Sequence, residues 1–414
     1  MMRILLYTSV LSMMVFTGCS DSVSNDTSFP EELGEAEKRI LEADQTFGVN
    51  IFKDVVEMEA DQENVFVSPL SLSMALGMTM NGARGQTFSE MQQTLGFGEL
   101  TQSEINEGYQ GLDDFLTSVD EQVQLGIANS VWSKQGFPIE EPFINDLNTF
   151  FGAEAHEMDF NDPQTVEAIN QWAADKTNDR ILRVLERIPP EMRLYLINAV
   201  FFKADWDTQF DPDFTTEVTF YTDDGGEPQI DMMNTSNTFN YLEQDRFQMV
   251  DLPYGNGSFS MSLILPKKEE ESLDAFIAEE VTAGSVQDWI SQMDTTMVLV
   301  GLPKFELSYK TKGSTLPTSL SEMGMPTAFT PRADFTGINP QGELLISSVD
   351  QHTFLKVDEE GSEAAAVTVI GVGVTSIGPS YPSVYLNRPF LLLIREQQTG
   401  TILFMGKIGN PAAE

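Results

Sequence analysis

The chain has 414 residues, of which 41% are hydrophobic and 10% aromatic, so it carries enough apolar material for a sizeable core and disorder is not expected. Its 64 acidic and 23 basic residues give a net charge of −41, and this field argues against nucleic acid and anionic membrane surfaces as partners. The length allows two or three domains, or one large domain of mixed architecture.

The N-terminus resembles a bacterial lipoprotein signal. Arg3 precedes an apolar run, residues 4–16, and Thr17, Gly18 and Cys19 follow it. The run has 13 residues, which is too short for a transmembrane anchor. We expect residues 1–18 to be a signal peptide and residues 19–34 a polar tether, with a lipid on Cys19 after cleavage. The protein would then be exported and held at the cell envelope or cell surface.

Helical spacing of apolar residues predicts the first elements of the chain. We expect an amphipathic helix over 35–58 and a buried helix over 70–80, because the second segment is apolar all round. A strand over 124–132 and helices over about 140–151 and 163–178 follow. Residues 194–202 form a nearly unbroken apolar run, which is typical of a strand buried on both faces.

Three polar residues interrupt these apolar segments. Ser68, followed by Pro69, fits the start of the buried helix, and Ser71 lies in its first turn. Asn198 interrupts the apolar strand and Trp206 follows that strand. Buried polar side chains need hydrogen-bond partners, so we expect Ser68 or Ser71 to bind Asn198.

The second half of the chain is rich in strands. Successive strands separated by Gly and Asn turns are predicted over 217–266, and strands over 297–302 and 304–309 follow two helices that begin at about 272 and 286. Residues 390–394 and 401–405 flank a short turn and predict an apolar hairpin in the core. Because helices dominate the first half and strands the second, we expect an α+β fold.

Residues 357–385 form an unusual segment. Between Gly361 and Asn387 the only ionisable carboxylate is Glu363, and there is no Lys or Arg. Small and β-branched residues favour a strand in the first half, while Gly and Pro residues interrupt the second half.

Motifs for enzymatic chemistry are absent from the sequence. The two histidines, His156 and His352, are not in a metal-binding spacing, and Cys19 is the only cysteine. There is no G-x-S-x-G elbow and no phosphate-binding glycine loop. A Ser-His-Asp set assembled by the fold stays open, since such triads are geometric. We expect no enzyme activity, no metal and no cofactor.

Several segments resemble the serpins. They are EEGSEAAAVT (359–368), NVFVSPLSLSMALGMTMNGARGQT (64–87), LINAVFFKADWDTQFDP (196–212), VDLPYGNGSFSMSLILP (250–266), NRPFLLLI and FMGKIGNP, in order from about residue 35 to 411. The resemblance implies a domain over 35–414 with three β-sheets, eight or nine helices and an exposed reactive centre loop at about 359–386. It also implies a monomeric suicide-substrate inhibitor, whose cleaved loop inserts as a new strand in the main sheet and traps a covalent acyl-enzyme.

The hinge implied by this resemblance is Glu359, Glu360, Gly361, Ser362, Glu363, Ala364, Ala365, Ala366, Val367 and Thr368. A buried carboxylate is costly, so Glu363 should face outward in an inserted strand. The residues that face inward, Ser362, Ala364, Ala366, Thr368, Ile370 and Val372, are then all small or apolar. About a dozen strand hydrogen bonds at about 1 kcal/mol each, with burial of the two largest side chains, would supply on the order of ten kcal/mol.

Counting along the hinge as in the family gives Thr375-Ser376 as the reactive bond. With no Lys or Arg in the exposed segment, a trypsin-like target is nearly excluded. Val374 and Thr375 suit elastase-like or subtilisin-like serine proteases, with cysteine proteases as a second class. Tyr381 leaves a chymotrypsin-like cut as a minor alternative. The alternative to inhibition is a serpin fold kept as a non-inhibitory binding lipoprotein.

The resemblance also implies that Ser68, Ser71, Asn198, Trp206 and Gln351 control opening of the main sheet. The family usually has a histidine where this chain has Gln351, and His352 is displaced by one position. We expect Gln351 to donate to Asn198 or Ser68. Asp179 replaces a usual glycine, and the region after Arg84 lacks the basic face of a heparin site.

Overall fold

The computed structural model describes residues 33–267, 271–361 and 381–413. The predicted signal peptide, Cys19, the hinge from Ser362 to Thr368 and the bond Thr375-Ser376 lie outside the described residues. Among those that are described, no helix is both long enough and apolar enough to cross a membrane.

Nine α-helices lie in the described part of the chain. They are α1 (Glu35–Met58), α2 (Pro69–Met80), α3 (Gly85–Thr94), α4 (Gln102–Ser118), α5 (Glu141–Phe151), α6 (Pro163–Lys176), α7 (Leu273–Glu280), α8 (Ala283–Ser291) and α9 (Thr315–Glu322). Short 3₁₀ helices occur at Pro212–Phe214 and Pro326–Phe329.

Fourteen strands are described. They are β1 (Asn64–Val67), β2 (Gln124–Lys134), β3 (Glu154–Met158), β4 (Leu194–Lys203), β5 (Thr216–Thr219), β6 (Gln229–Glu243), β7 (Phe247–Tyr254), β8 (Phe259–Pro266), β9 (Asp294–Pro303), β10 (Phe305–Lys310), β11 (His352–Val357), β12 (Ser383–Tyr385), β13 (Phe390–Glu396) and β14 (Ile402–Ile408).

These strands form three sheets. The largest has the order β1-β14-β13-β8-β7-β6-β9-β12, with β5 paired to β6. A second sheet has the order β3-β2-β4, and the third pairs β10 with β11. The predicted α+β fold with three sheets and eight or nine helices is confirmed.

The core contains both segments that the sequence predicted to be buried. Helix α2 begins at Ser68, whose side chain accepts a hydrogen bond from the Ser71 amide, and most of its residues are buried. Gly77 lets α4 approach, since a Cβ there would lie 2.7 Å from the Tyr109 ring. Every residue of strands β13 and β14, which form the predicted hairpin, is buried.

The prediction that the strand at 194–202 is buried on both faces is wrong. Only Ala199 of the ten residues of β4 is fully buried, and the others are half-buried. Strand β4 pairs with β2 along one edge, and no strand of the described residues pairs with its other edge. That free edge exposes the apolar side chains to a groove.

Candidate functional site

A seam separates β4 and β11, which are end strands of two different sheets. Both strands line it, and no backbone hydrogen bond joins them in the described residues. A cavity of about 470 Å³ occupies one end, between residues 194–200 of β4, residues 343–353 and the start of α2. At the other end, residues 200–203 face residues 354–356. The strands therefore run in the same direction on either side of the seam.

The chain turns back toward this seam directly after β11. Asp358 and Gly361 exchange backbone hydrogen bonds of 3.2 and 3.4 Å, which closes a tight turn. Gly361 forms antiparallel bridges with both Asp358 and Asp205, a residue just beyond the end of β4. Gly361 thus lies between the extensions of β4 and β11. The residues that follow it, 362–380, are outside the described part of the chain.

Only glycine fits at position 361. Its φ is +132°, and a Cβ there would lie 2.5 Å from the Ala204 carbonyl oxygen and 2.6 Å from the Trp206 nitrogen. Any larger residue would have to push the turn away from the end of β4.

Trp206 holds the same turn from the side. Its backbone N–H donates to the Glu360 carbonyl at 3.1 Å, and its indole N–H donates to the Asp358 carbonyl at 2.9 Å. The indole is buried and stacks on Tyr254, with ring centroids 4.4 Å apart. The tryptophan therefore binds two backbone carbonyls of the turn from a rigid position in the core.

Glu359 anchors the turn through its side chain. The carboxylate accepts hydrogen bonds from Lys304 Nζ at 2.6 Å and from Thr215 Oγ1 at 2.8 Å. Burial raises the pKa of Glu359, but these two hydrogen bonds outweigh it, so the pKa lies below its usual range. The hydrogen bond to Glu359 in turn raises the pKa of Lys304. The pair is ionised at neutral pH.

A polar network lines the opposite end of the seam, where the cavity lies. We call this the cavity end of the seam. Gln351 accepts from the Ser68 amide at 2.9 Å and donates to the Ser68 carbonyl at 2.7 Å. Ser68 Oγ donates to the Leu403 carbonyl at 2.7 Å. Ser71 Oγ donates to Asn198 Oδ1, so β4 is bound to α2 on one side of the seam and residue 351 is bound to α2 on the other.

The histidine next to this network takes no part in it. Burial, with a smaller contribution from Lys310, lowers the pKa of His352 to about 4. His352 is therefore neutral near pH 7. His156 stacks on Trp132 with ring centroids 4.1 Å apart. Within residues 33–267, 271–361 and 381–413, no group of acidic, Cys or His side chains is arranged to hold a metal.

The structure brings the sequence-selected residues into two groups. Ser68, Ser71, Asn198 and Gln351 lie at the cavity end of the seam, whereas Trp206 and residues 359–361 lie at the other end. Gln351 binds Ser68, and Asn198 instead donates to Asn129 at 2.7 Å. Residues at the end of the range expected for the loop, Ser383–Tyr385, form strand β12.

Sequence reasoning missed four residues that contribute to this site. Lys304 and Thr215 bind Glu359, Tyr254 supports Trp206, and Asn129 binds Asn198. Only Asn129 had a local signal, because it interrupts an otherwise apolar part of β2 as Asn198 interrupts β4.

Comparisons with known proteins agree with this geometry. The chain matches the family model described as Serpin (serine protease inhibitor) over residues 42–411. It is 31% identical to human neuroserpin over 401 residues, which cover 94% of each chain. Among solved structures it is similar to the thermophilic serpin tengpin in its native state, with a TM-score of 0.80 and 32% identity over 89% of this chain and 94% of that one. Human thyroxine-binding globulin, solved in complex with thyroxine, has a TM-score of 0.82 and 26% identity over 91% of this chain and 100% of that one. The chain belongs to the serpin family.

Proposed function

We propose that this protein is a suicide-substrate inhibitor of serine endopeptidases with small apolar specificity pockets, elastase-like or subtilisin-like, with cysteine endopeptidases as a second class. The observation that carries the proposal is the position of Gly361, which bridges both Asp205 and Asp358 at the end of the seam opposite the cavity. A strand that continues from Gly361 would run antiparallel to β4 and β11 and could pair with both.

The chemistry begins at the reactive bond, which we place at Thr375-Ser376. The protease nucleophile attacks the Thr375 carbonyl carbon, an acyl bond forms, and the Ser376 nitrogen leaves as a new amino terminus after taking up a proton. The loop on the Gly361 side is then free at its far end. Insertion of this segment would carry the acylated protease along the seam before water can release it.

The seam favours this insertion energetically. No strand of the described residues pairs with the facing edges of β4 and β11, and a strand between them would bind both at about 1 kcal/mol per hydrogen bond. The small residues that follow Gly361, from Ser362 to Ala366, require little separation of the two strands. Lower in the seam, the cavity of about 470 Å³ offers space for larger side chains.

The same residues suggest how early insertion is limited. Ser71 binds β4 to α2, and Gln351, just before β11, binds Ser68 at the start of α2. We propose that these contacts, together with the turn held by Trp206 at the other end, fix β4 and β11 in place. The two strands then neither pair with each other nor accept the loop before it is cleaved.

We further propose that the protein is exported as a monomer and held at the cell envelope or cell surface by a lipid on Cys19, as in bacterial lipoproteins. Residues 1–18 would be removed and residues 19–34 would act as the tether, with residues 35–414 as the serpin domain. The sequence supports this by its apolar run and Cys19. Metabolic labelling with a radioactive fatty acid tests it, since Cys19→Ser should abolish both label and membrane association.

The inhibitor proposal is tested by incubating the protein with an elastase-like and a subtilisin-like protease. We expect an adduct that resists SDS, and mass spectrometry of the released C-terminal peptide should place the cut near Thr375-Ser376. Ala366→Arg should be cleaved without forming the adduct, because a large charged side chain would face the core. Cleavage of the parent without any adduct across the panel would instead favour the alternative, a non-inhibitory binding lipoprotein.

A further inference from the structure

Large hydrophobic side chains are exposed beside the two ends of the loop. Six such side chains are exposed among the described residues, and three of them, Phe214 (52% exposed), Leu299 (44%) and Tyr381 (45%), lie around β6, β9 and β12. We call these three residues the loop-facing patch. Isolated exposed hydrophobics are common, but a group on one sheet region indicates an interaction surface.

Backbone contacts show how the patch is built. Leu299 lies opposite Ser383 in the β9–β12 pairing, and its N–H donates to the Pro382 carbonyl at 2.9 Å, next to Tyr381. On the other side of β6, the Asn234 side chain donates to the Phe214 carbonyl at 2.8 Å. Asn234 in turn lies opposite Gly301 on β9. The patch therefore crosses neighbouring strands of one sheet.

Both ends of the loop reach this region. Thr215, next to Phe214, donates to Glu359 at 2.8 Å where the loop leaves the turn at Gly361. Tyr381 is the first described residue after the loop. The described residues that flank the loop on its two sides therefore lie beside Phe214 and Leu299.

The segment that carries Phe214 is acidic. Residues 204–231 contain no Lys or Arg and nine carboxylates, at Asp205, Asp207, Asp211, Asp213, Glu217, Asp223, Asp224, Glu227 and Asp231. Glu217 and Asp231 are exposed and lie directly opposite each other in the β5–β6 pairing. Like charges in this position destabilise a sheet, and a cationic partner would relieve the repulsion. Lys304, which lies nearby, is already paired with Glu359.

We propose that the loop-facing patch is a docking site for the target protease, and that this protease carries Lys and Arg around its active-site cleft. The proposal rests on the proposed inhibitory function and specifies its partner further. The loop would select a protease by its small apolar pocket, while the patch and its acidic surroundings would select it by surface charge. A second copy of this chain fits poorly, because the same acidic surface would face itself in a chain of net charge −41.

The test compares two elastase-like proteases that share a small apolar pocket, one with a basic surface and one with a neutral or acidic surface. We expect the parent to form the adduct about tenfold faster with the basic protease at low salt, and high salt should remove this advantage. Leu299→Ser and Phe214→Ser should each slow the reaction with the basic protease about fivefold. Leu182→Ser is the matched control, because Leu182 is 66% exposed but lies in the segment between α6 and β4.

Equal rates for the two proteases, or variants as fast as the parent, would overturn the docking proposal while leaving inhibition intact. Sedimentation that shows a parent dimer lost in Leu299→Ser would also overturn it, in favour of a second copy as the occupant. Affinity for the basic protease with its catalytic serine replaced by alanine separates docking from inhibition. If the parent forms no adduct but binds this inactive protease more tightly than both variants do, docking stands and the inhibitory function fails.

Discussion

Asp44 provides the sharpest prediction about stability. This residue of α1 is buried, and its Oδ1 accepts hydrogen bonds from Ser73 of α2 and, at 3.3 Å, from Tyr109 of α4. Its Oδ2 has no hydrogen-bond partner among the described residues. Burial raises the pKa of Asp44 from 3.8 to about 7, against the lowering effect of the two hydrogen bonds. Because Ser68 caps α2 and Ser71 lies in its first turn, this helix contact supports the cavity end of the seam.

The raised pKa makes the folded state favour the protonated carboxyl. Below about pH 4 Asp44 is protonated in both the folded and the unfolded chain, so its ionisation does not lower the free energy of unfolding. Between about pH 4 and pH 7 the unfolded chain ionises first and the free energy of unfolding falls. Above pH 7 the full penalty is present, about 4 kcal/mol for the difference between the two pKa values. Asp44→Asn, which stays neutral, should remove most of this penalty.

The assay is urea unfolding followed by tryptophan fluorescence at pH 5 and pH 8, comparing Asp44→Asn with the parent at each pH. We expect the variant to gain clearly more stability at pH 8 than at pH 5. Asp159→Asn is the control without pH dependence, because hydrogen bonds from the Asn161 backbone and side chain lower the pKa of Asp159 from 3.8. Asp159 is therefore ionised at pH 5 and at pH 8, and its replacement should lower stability equally at both. An equal gain at both pH values for Asp44→Asn would refute the reasoning.

The remaining predictions concern the seam and one strained turn. Gly361→Ala should destabilise the protein by about 2 kcal/mol in thermal unfolding and increase cleavage without adduct, because the turn no longer fits beside Ala204. Gln351→Ala should cost about 2 to 3 kcal/mol in urea unfolding, because it leaves the buried Ser68 N–H and carbonyl without their partner. Asp179→Gly should raise stability by about 1 kcal/mol, because Asp179 has a φ of +61°, which glycine adopts without strain. In hydrogen exchange, amides on the free edge of β4 should exchange quickly in the intact protein and become protected after protease cleaves the loop; unchanged exchange would contradict insertion.

Elements with a strong apolar pattern were predictable from the sequence, and those shaped by their neighbours were not. The boundaries of α1 were predicted to the residue, and the β13–β14 hairpin was placed in the core. Helix α4 was not predicted, since Gly108 and Gly111 weaken its pattern. The structure gives one reason for Gly108, where a Cβ would lie 2.3 Å from Ile40. Strand β3 was missed because none of its five residues is fully buried.

The residues of the candidate site also divide into those that the sequence predicted and those that only the fold brings together. Ser68, Ser71 and Asn198 were found because polar residues inside apolar runs require partners, and that argument needs only local sequence. Lys304 and Thr215 carry no such signal. They lie 55 and 144 residues from Glu359 along the chain, and only the fold brings them to its carboxylate. A charged residue on a strand edge has many possible partners, so its pairing cannot be deduced from its type.

The wrong prediction for β4 bears most directly on function. Its sequence suits a central strand with neighbours on both edges, yet the described structure leaves one edge open and nearly every residue half-buried. Such a mismatch between sequence and environment lowers stability, because apolar side chains stay partly exposed to water and no strand of the described residues pairs with the open edge. A strand continuing from Gly361 would correct both defects at once. On the proposed mechanism, the sequence of β4 therefore suits the sheet that forms after the loop has inserted. The difference in free energy between the intact and the inserted states drives the loop into the seam.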